Sequence, residues 1–410
     1  MLVGAAMRLG WTEADETELE GLLEESVEAC TERERTAFDI IHRGANGIVL
    51  LGAGKLGRRT LQALQKIGSP PIAITDNNAT LWNTDLEGVP VLSPADAAQR
   101  FATSATFVVS IWRAGGTHRY EQSRAQLKQL GCHRVSSIAP LAWKHADVML
   151  PHYCLDLPHR VLKSTDRIRS AFSLLSDDRS RAEFLAQLRF RLLADFDGLP
   201  HPDSDPQYLA KDLFRYLESE NFVDVGAYDG DTLRAVLSAG GAFNSYTALE
   251  PDPVNVEALR ATVASLPSAI AERIDVLPVA AHSVRQRLRI TDSGSASAAL
   301  VPGDAEGSGF DVECVPLDDL FLHRRMSFLK LDIEGVEPDA LAGARRIIAR
   351  DRPVIAVCVY HVQDHLWELP LLVRSLVDNY RFYLRPYNEE GWDLVCYGVP
   401  RERALAADPA

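Results

Sequence analysis

The chain has 410 residues, 46% of them hydrophobic and 24% charged, and a formal net charge of −14. That length suits two or three domains with separate cores. The acidic balance repels phosphate backbones, and the basic pairs Arg58–Arg59 and Arg324–Arg325 are too short to form a patch, so no nucleic-acid partner is expected.

Residues 11–45 carry acidic and apolar residues at helical spacing and read as an amphipathic lead-in, so 1–45 is taken as a first part. Strand-like runs follow at 47–52, 71–76, 105–111 and 132–138, with a helix after the first reaching about Ile67. Strands alternating with helices indicate a parallel α/β sheet over 46–150. The pattern then turns helical over 151–215, with Ser176 or Asp177 as a plausible N-cap. The α/β rhythm restarts over 216–403 with runs at 222–226, 246–250, 274–281, 327–332 and 353–360. A final pair, 380–387 and 393–399, reads as an antiparallel hairpin. The expected fold is therefore α/β: two Rossmann-like doubly wound sheets joined by a helical connector.

No run of 18 apolar residues occurs, so no membrane span is expected, and the opening MLVGAAMRLG lacks a basic leader. The cysteines at 30, 132, 154, 314, 358 and 396 are scattered without a Cys-x-x-Cys pair. This argues against a zinc cluster or a disulfide framework and fits a cytoplasmic protein. A homo-oligomer is left open.

Each half carries a glycine loop after its first strand and an acid ending its second. Gly52 to Asp76 spans 24 residues (76 − 52), and so does Gly226 to Glu250 (250 − 226). In the first half, Gly52, Gly54 and Gly57 have the G-x-G-x-x-G spacing that lets a backbone approach a pyrophosphate, and Asp76 stands where an acid would bind ribose hydroxyls. These four residues define a second, nucleotide-type site. No Tyr-x-x-x-Lys pair accompanies them, so a working NAD(P) site is disfavoured. An NAD(P)-linked oxidoreductase remains the rival reading, with a non-catalytic nucleotide-binding scaffold as a third. The stretch 76–94, DNNATLWNTDLEGVPVLSP, resembles the leading Rossmann-like domains of bacterial polysaccharide-modifying proteins.

The second loop, FVDVGAYDGDTL, has acids where the first has none. Acids favour a cationic ligand and oppose a phosphate. S-adenosylmethionine, with an ammonium and a sulfonium, suits this loop. Asp224, Gly226, Ala227, Tyr228, Gly230, Asp231 and Thr232 would hold it, with Glu250 on the ribose and Pro251, Asp252 and Ala280 nearby.

This loop, ALEPDPVNVEAL (248–259) and FLKLDIEGVEPDALAGA (328–344) resemble the FkbM-type methyltransferases over roughly residues 220–400. The last stretch carries their Lys-x-Asp-x-Glu-Gly-x-Glu signature as Lys330, Asp332, Glu334, Gly335 and Glu337. Tyr228 departs from the Asn common in the family, and His365 is given no role. The resemblance implies a class I methyltransferase-type sheet in the second half, and methyl transfer from S-adenosylmethionine to a hydroxyl of a small molecule or glycan, such as a carbohydrate or nucleotide-linked sugar. Strand alternation puts Lys330 and Asp332 on one side. Asp332 is expected to face the methionine end or the acceptor, with Glu334 or His361 as general base and Lys330 stabilising charge or pairing with a carboxylate. Asp332, Glu334 and His361 could alternatively hold a divalent cation. The loop 291–300 reads as an acceptor-facing lid or a plain surface loop.

Overall fold

Ile48–Leu51 is a four-residue apolar run buried along its whole length, the pattern of a central strand covered on both faces. In the computed structural model, which describes residues 11–217, 219–290, 300–301 and 309–405, this strand (β1) centres a six-stranded sheet. Its partners are β2 (Ala73–Thr75), β3 (Thr84–Leu86), β4 (Val89–Leu92), β5 (Thr106–Val109) and β6 (Arg134–Ser137), in the order β3-β4-β2-β1-β5-β6. All neighbours run parallel except β3 and β4. That pair is a hairpin whose two turn residues, Glu87 and Gly88, have φ of 51° and 84°. Positive φ at both positions matches the twist of the flanking strands. The hairpin lies inside the 76–94 stretch and was not anticipated. The lead-in forms two helices, Glu13–Leu23 and Val27–His42.

The second sheet has seven strands. β7 (Glu220–Val225), β8 (Phe243–Leu249) and β9 (Ile274–Leu277) form one side, and β14 (Phe328–Leu331), β15 (Val354–Cys358), β16 (Tyr380–Pro386) and β17 (Leu394–Pro400) the other. The order is β16-β17-β15-β14-β7-β8-β9. The first five strands in the chain are parallel, and β16 and β17 close the edge as the expected antiparallel hairpin.

Two expectations are corrected. The run 274–281 is not one strand: Pro278 has no N–H to give a ladder, and the chain leaves the sheet there. Ala280–Ala281 (β10) instead joins β11 (Gln286–Ile290), β12 (Leu300–Val301) and β13 (Phe310–Val315) in a separate small sheet. The 291–300 stretch lies outside the described residues up to 299, and Leu300 begins β12. The connector is helical only to Leu193, through Pro158–Leu162, Thr165–Phe172 and Asp178–Leu193. Asp177 is the cap of the last, accepting from the Ser180 N–H at 2.8 Å. Beyond the left-handed Ala194 (φ 55°) the chain to Tyr216 has no helix.

Phe328, Phe222 and Tyr246 sit in register across β14, β7 and β8. Their rings stack, with centroids 4.5 Å and 4.9 Å apart. All three are fully buried beneath the carboxyl ends of their strands. The halves of the molecule also meet: Trp112, after β5, packs on Trp392 with centroids 5.1 Å apart and donates its indole N–H to the Glu390 carbonyl at 3.1 Å. Arg119 pairs with Glu389 at 2.6 Å. The cysteines are free and buried, and among the described residues no helix is long and apolar enough to cross a membrane.

Phe328→Ala would remove one end of the sheet's ring-stacked floor. It is expected to cost about 3–5 kcal/mol in chemical denaturation, with Phe328→Leu costing clearly less.

Candidate active site

Two residues above the ring stack, on the same face of the sheet, the strands carry charges. Lys330 in β14 lies directly across from Asp224 in β7, and its ammonium is 3.0 Å from the Asp224 carboxylate. The other Asp224 oxygen accepts from the Tyr246 hydroxyl at 2.5 Å. Lys330 also donates to the Gly226 carbonyl. Burial disfavours its charge, but Asp224, Asp332 and Asp231 outweigh that and push its pKa up. Lys330 thus pairs with a carboxylate at the base of the glycine loop.

The loop leaves β7 with Gly226 and Ala227 both donating to the Leu249 carbonyl, at 3.0 and 3.1 Å. Gly226 has φ of 81°, and a Cβ there would stand 1.9 Å from the Asp332 carbonyl oxygen. Only glycine fits this crossing. Tyr228 adopts φ of 47° and donates its N–H to Glu250 at 2.9 Å. Glu250 also accepts from the Asp252 N–H at 3.0 Å, and burial raises its pKa. Gly230 (φ 89°) opens the helix Asp231–Ser238, where Asp231 bonds the Thr232 N–H at 2.7 Å.

Three cofactor candidates stand differently. Asp252 is fully buried and caps the helix Pro253–Ala264, accepting from the Val254 N–H at 2.8 Å. Pro251 is the residue between it and Glu250. Ala280 packs in the core of the small sheet.

Past the end of β14 the signature acids gather around one histidine. His361 Nδ1 is 2.7 Å from Glu337, and its Nε2 is 3.3 Å from Asp332 and 3.8 Å from Glu334. Burial disfavours the imidazolium, but these carboxylates raise the His361 pKa well above its ordinary value. Glu337 has no exposed surface and also accepts from the Ile333 N–H at 3.0 Å. Burial pushes Asp332 up, yet His361, Lys330 and the Tyr208 hydroxyl, 2.8 Å away, hold it well below the usual carboxylate range. Glu334 has no such donors: burial, with Asp332, Glu337 and Asp393 adding to it, raises it to about 7 despite His361. Its φ of 56° is a left-handed conformation uncommon outside glycine.

Sequence reasoning thus placed Asp332, Glu334 and His361 together, and the structure brings them together. It missed Glu337 as the second support of His361, although Glu337 belongs to the quoted signature. It also missed Tyr208, which lies in the connector with no motif around it, and Tyr360, whose hydroxyl is 3.4 Å from Asp332. His365 lies 3.4 Å from Glu337, beneath the cluster. The cation reading is not supported: both ring nitrogens of His361 face carboxylates, and among the described residues no group of three His, Cys, Asp or Glu side chains is arranged to hold a metal ion.

In the first sheet, Gly52 (φ 116°) and Gly57 meet closely: a Cβ on Gly57 would stand 1.9 Å from the Gly52 carbonyl oxygen. Gly54 begins the helix Lys55–Lys66 with open space around it. Asp76 accepts from the Ala53 and Asn78 N–H groups, both at 2.7 Å.

Residues 224–384 match the family model of the methyltransferase FkbM domain. The whole chain is similar in fold to the crystal structure of methyltransferase FkbM from Methylobacillus flagellatus KT. The two share 22% identity and a TM-score of 0.73, with 92% of this chain and 99% of that one covered. A putative rRNA-methylase from Clostridium thermocellum (10% identity, TM-score 0.29) covers 45% of this chain and 89% of its own. An rRNA methylase from Streptococcus thermophilus (11%, 0.27) covers 47% and 92%. Those two scores are too low to carry an argument. No curated protein matches the chain.

Gly226→Ala should force the loop off the Asp332 carbonyl and lower the melting temperature by several degrees, about the effect of 1–3 kcal/mol. Gly54→Ala, which meets no atom, should melt within about a degree of the wild type. Differential scanning calorimetry distinguishes the two.

Proposed function

We propose that the protein transfers a methyl group from S-adenosylmethionine to a hydroxyl of a carbohydrate or nucleotide-linked sugar. The observation that carries this reading is the direct join between the glycine loop and the acid cluster. Lys330 holds Asp224 and the Gly226 carbonyl, and the Asp332 N–H donates to the Val225 carbonyl at 3.1 Å. A cofactor in the loop would therefore have the acids at one end of its bed. The residues fit the cofactor: the crossing at Gly226 excludes any side chain, and the nearby carboxylates suit its positive charges.

S-adenosylmethionine supplies a methyl group already activated on a sulfonium, which leaves the protein alignment and proton removal. The Asp224–Thr232 loop would hold the methionine portion, and Glu250 would accept from the ribose hydroxyls. Glu334 is the general base in this account. His361, between Glu337 and Asp332, is held as a cation and has no lone pair to take a proton. Glu334 is the acid of the cluster raised to about 7, where a base is effective at neutral pH. His361 orients Asp332 and Glu334 and offsets their charge. Lys330 acts on the loop from below.

The front glycine loop, with Gly52, Gly54, Gly57 and Asp76, would bind the nucleotide-like part of such a substrate. The division into 1–45, 46–150, 151–215 and 216–403 follows the same reading, each sheet closing within its own segment.

Because the unprotonated Glu334 is the active form, kcat/KM should rise with pH through about 7 and level off above it. Glu334→Gln should lower the rate by about 10²–10⁴-fold and remove that acid limb. Transfer of labelled methyl to a panel of glycosides, followed across pH 5.5–9, measures both (~10-fold rate steps per pH unit below the pKa). A Glu334→Gln enzyme with the wild-type rate and profile would contradict the assignment.

A further inference from the structure

The acid cluster is roofed by aromatic side chains from both halves of the molecule. Tyr153, half-buried, comes from the segment after the first sheet. Its ring centroid lies 4.5 Å from Trp392, 6.5 Å from Tyr360 and 6.4 Å from His361. Tyr153 and Tyr360 are near parallel, at 21°. The segment that carries Tyr153 is held from the front domain. Arg59, in the helix that follows the first glycine loop, donates to the Met149 and Pro151 carbonyls at 3.1 and 2.9 Å, and its guanidinium is 2.8 Å from His152 Nδ1.

One buried polar atom here lacks a hydrogen-bond partner, the indole Nε1 of Trp392, a residue 5% exposed. Asp393 follows Trp392 in a left-handed conformation (φ 50°) and is bonded by Asn388 at 3.2 Å. An unpaired buried donor is costly, and a ligand oxygen would satisfy it.

We propose that Tyr153, Tyr360, Trp392 and Asp393 form the acceptor subsite of the methyl-transfer centre, and that it takes a neutral pyranose-like ring bearing hydroxyls. This rests on the methyltransferase reading above. A pyranose presents an apolar C–H face to an aromatic ring and a rim of hydroxyls that both donate and accept. Asp332, Glu334 and Asp393 accept from hydroxyls, whereas an anionic acceptor would meet three carboxylates. Tyr153 thus contacts the acceptor through its ring, and Arg59, which holds its segment, is a positioning residue.

Saturation-transfer NMR on the full chain with S-adenosylhomocysteine tests this, using methyl glucopyranoside and methyl galactopyranoside as neutral probes and methyl glucuronide as an anion. Ring-proton signals are expected from a neutral glycoside and not from the anionic one. Tyr153→Ala should weaken the affinity about tenfold, with Tyr153→Phe close to wild type and Asp393→Asn also weakened. The S-adenosylhomocysteine affinity, measured in parallel, should be unchanged in every variant, which shows that each is folded. No signal from either neutral glycoside, the glucuronide binding as well, or an unaltered signal in Tyr153→Ala with intact cofactor binding overturns the subsite alone. Failure of the wild type to bind S-adenosylhomocysteine overturns the methyltransferase reading beneath it.

Discussion

A lysine ammonium in the dry interior of a sheet stays charged only beside a carboxylate whose remaining lone pairs are also satisfied. Lys330 and Asp224 meet that condition, with Tyr246 bonding the far oxygen of Asp224. The pair sits between two neighbouring strands at the place where both chains leave the sheet. Because Lys330 also bonds the Gly226 carbonyl, it fixes the glycine loop against the strand that carries the acids. Removing one partner would leave a buried charge alone, a loss larger than the pair itself contributes.

The second constraint is charge balance around His361. Several carboxylates in one buried cluster would repel strongly unless a cation stood among them. His361 meets Glu337 on one nitrogen and Asp332 and Glu334 on the other. Its charge keeps Glu337 and Asp332 ionised and leaves Glu334 as the acid most ready to exchange a proton. The left-handed conformations of Glu334 and Asp393 lie around the same centre. Such strain persists where surrounding contacts over-determine the backbone, as they do at functional sites.

Much of the second sheet was legible because its strands are buried apolar runs with periodic glycine and acid endings. Asp224, Gly226, Glu250, Lys330, Asp332 and Glu334 all stand at strand ends, where local pattern carries position. The β3–β4 hairpin was hidden because Glu87 takes a turn position more often held by Asn or Asp. The run 274–281 misled because it is apolar throughout, and only Pro278 marks the change of sheet. Tyr208, Tyr153 and Trp392 carry no motif: their meeting with the acid cluster depends on how distant segments pack, which single-strand pattern does not encode. His361 was found by its place after an apolar strand, but its cationic state depends on Glu337, four residues beyond Ile333 on another element.

The two glycine loops share a spacing and differ in chemistry. In the first, Asp76 turns its carboxylate to the backbone N–H groups of Ala53 and Asn78. In the second, acids line the loop itself and continue into the β14 segment. The central claim is that the second loop holds the methyl donor. Isothermal titration of the full chain with S-adenosylmethionine, NAD and NADP, repeated on Glu250→Ala, tests it most directly. Heat with S-adenosylmethionine alone, lost in a folded Glu250→Ala protein, is the predicted result. Binding of a nicotinamide cofactor in its place, or a Glu250→Ala protein that binds the methyl donor as the wild type does, would contradict the account.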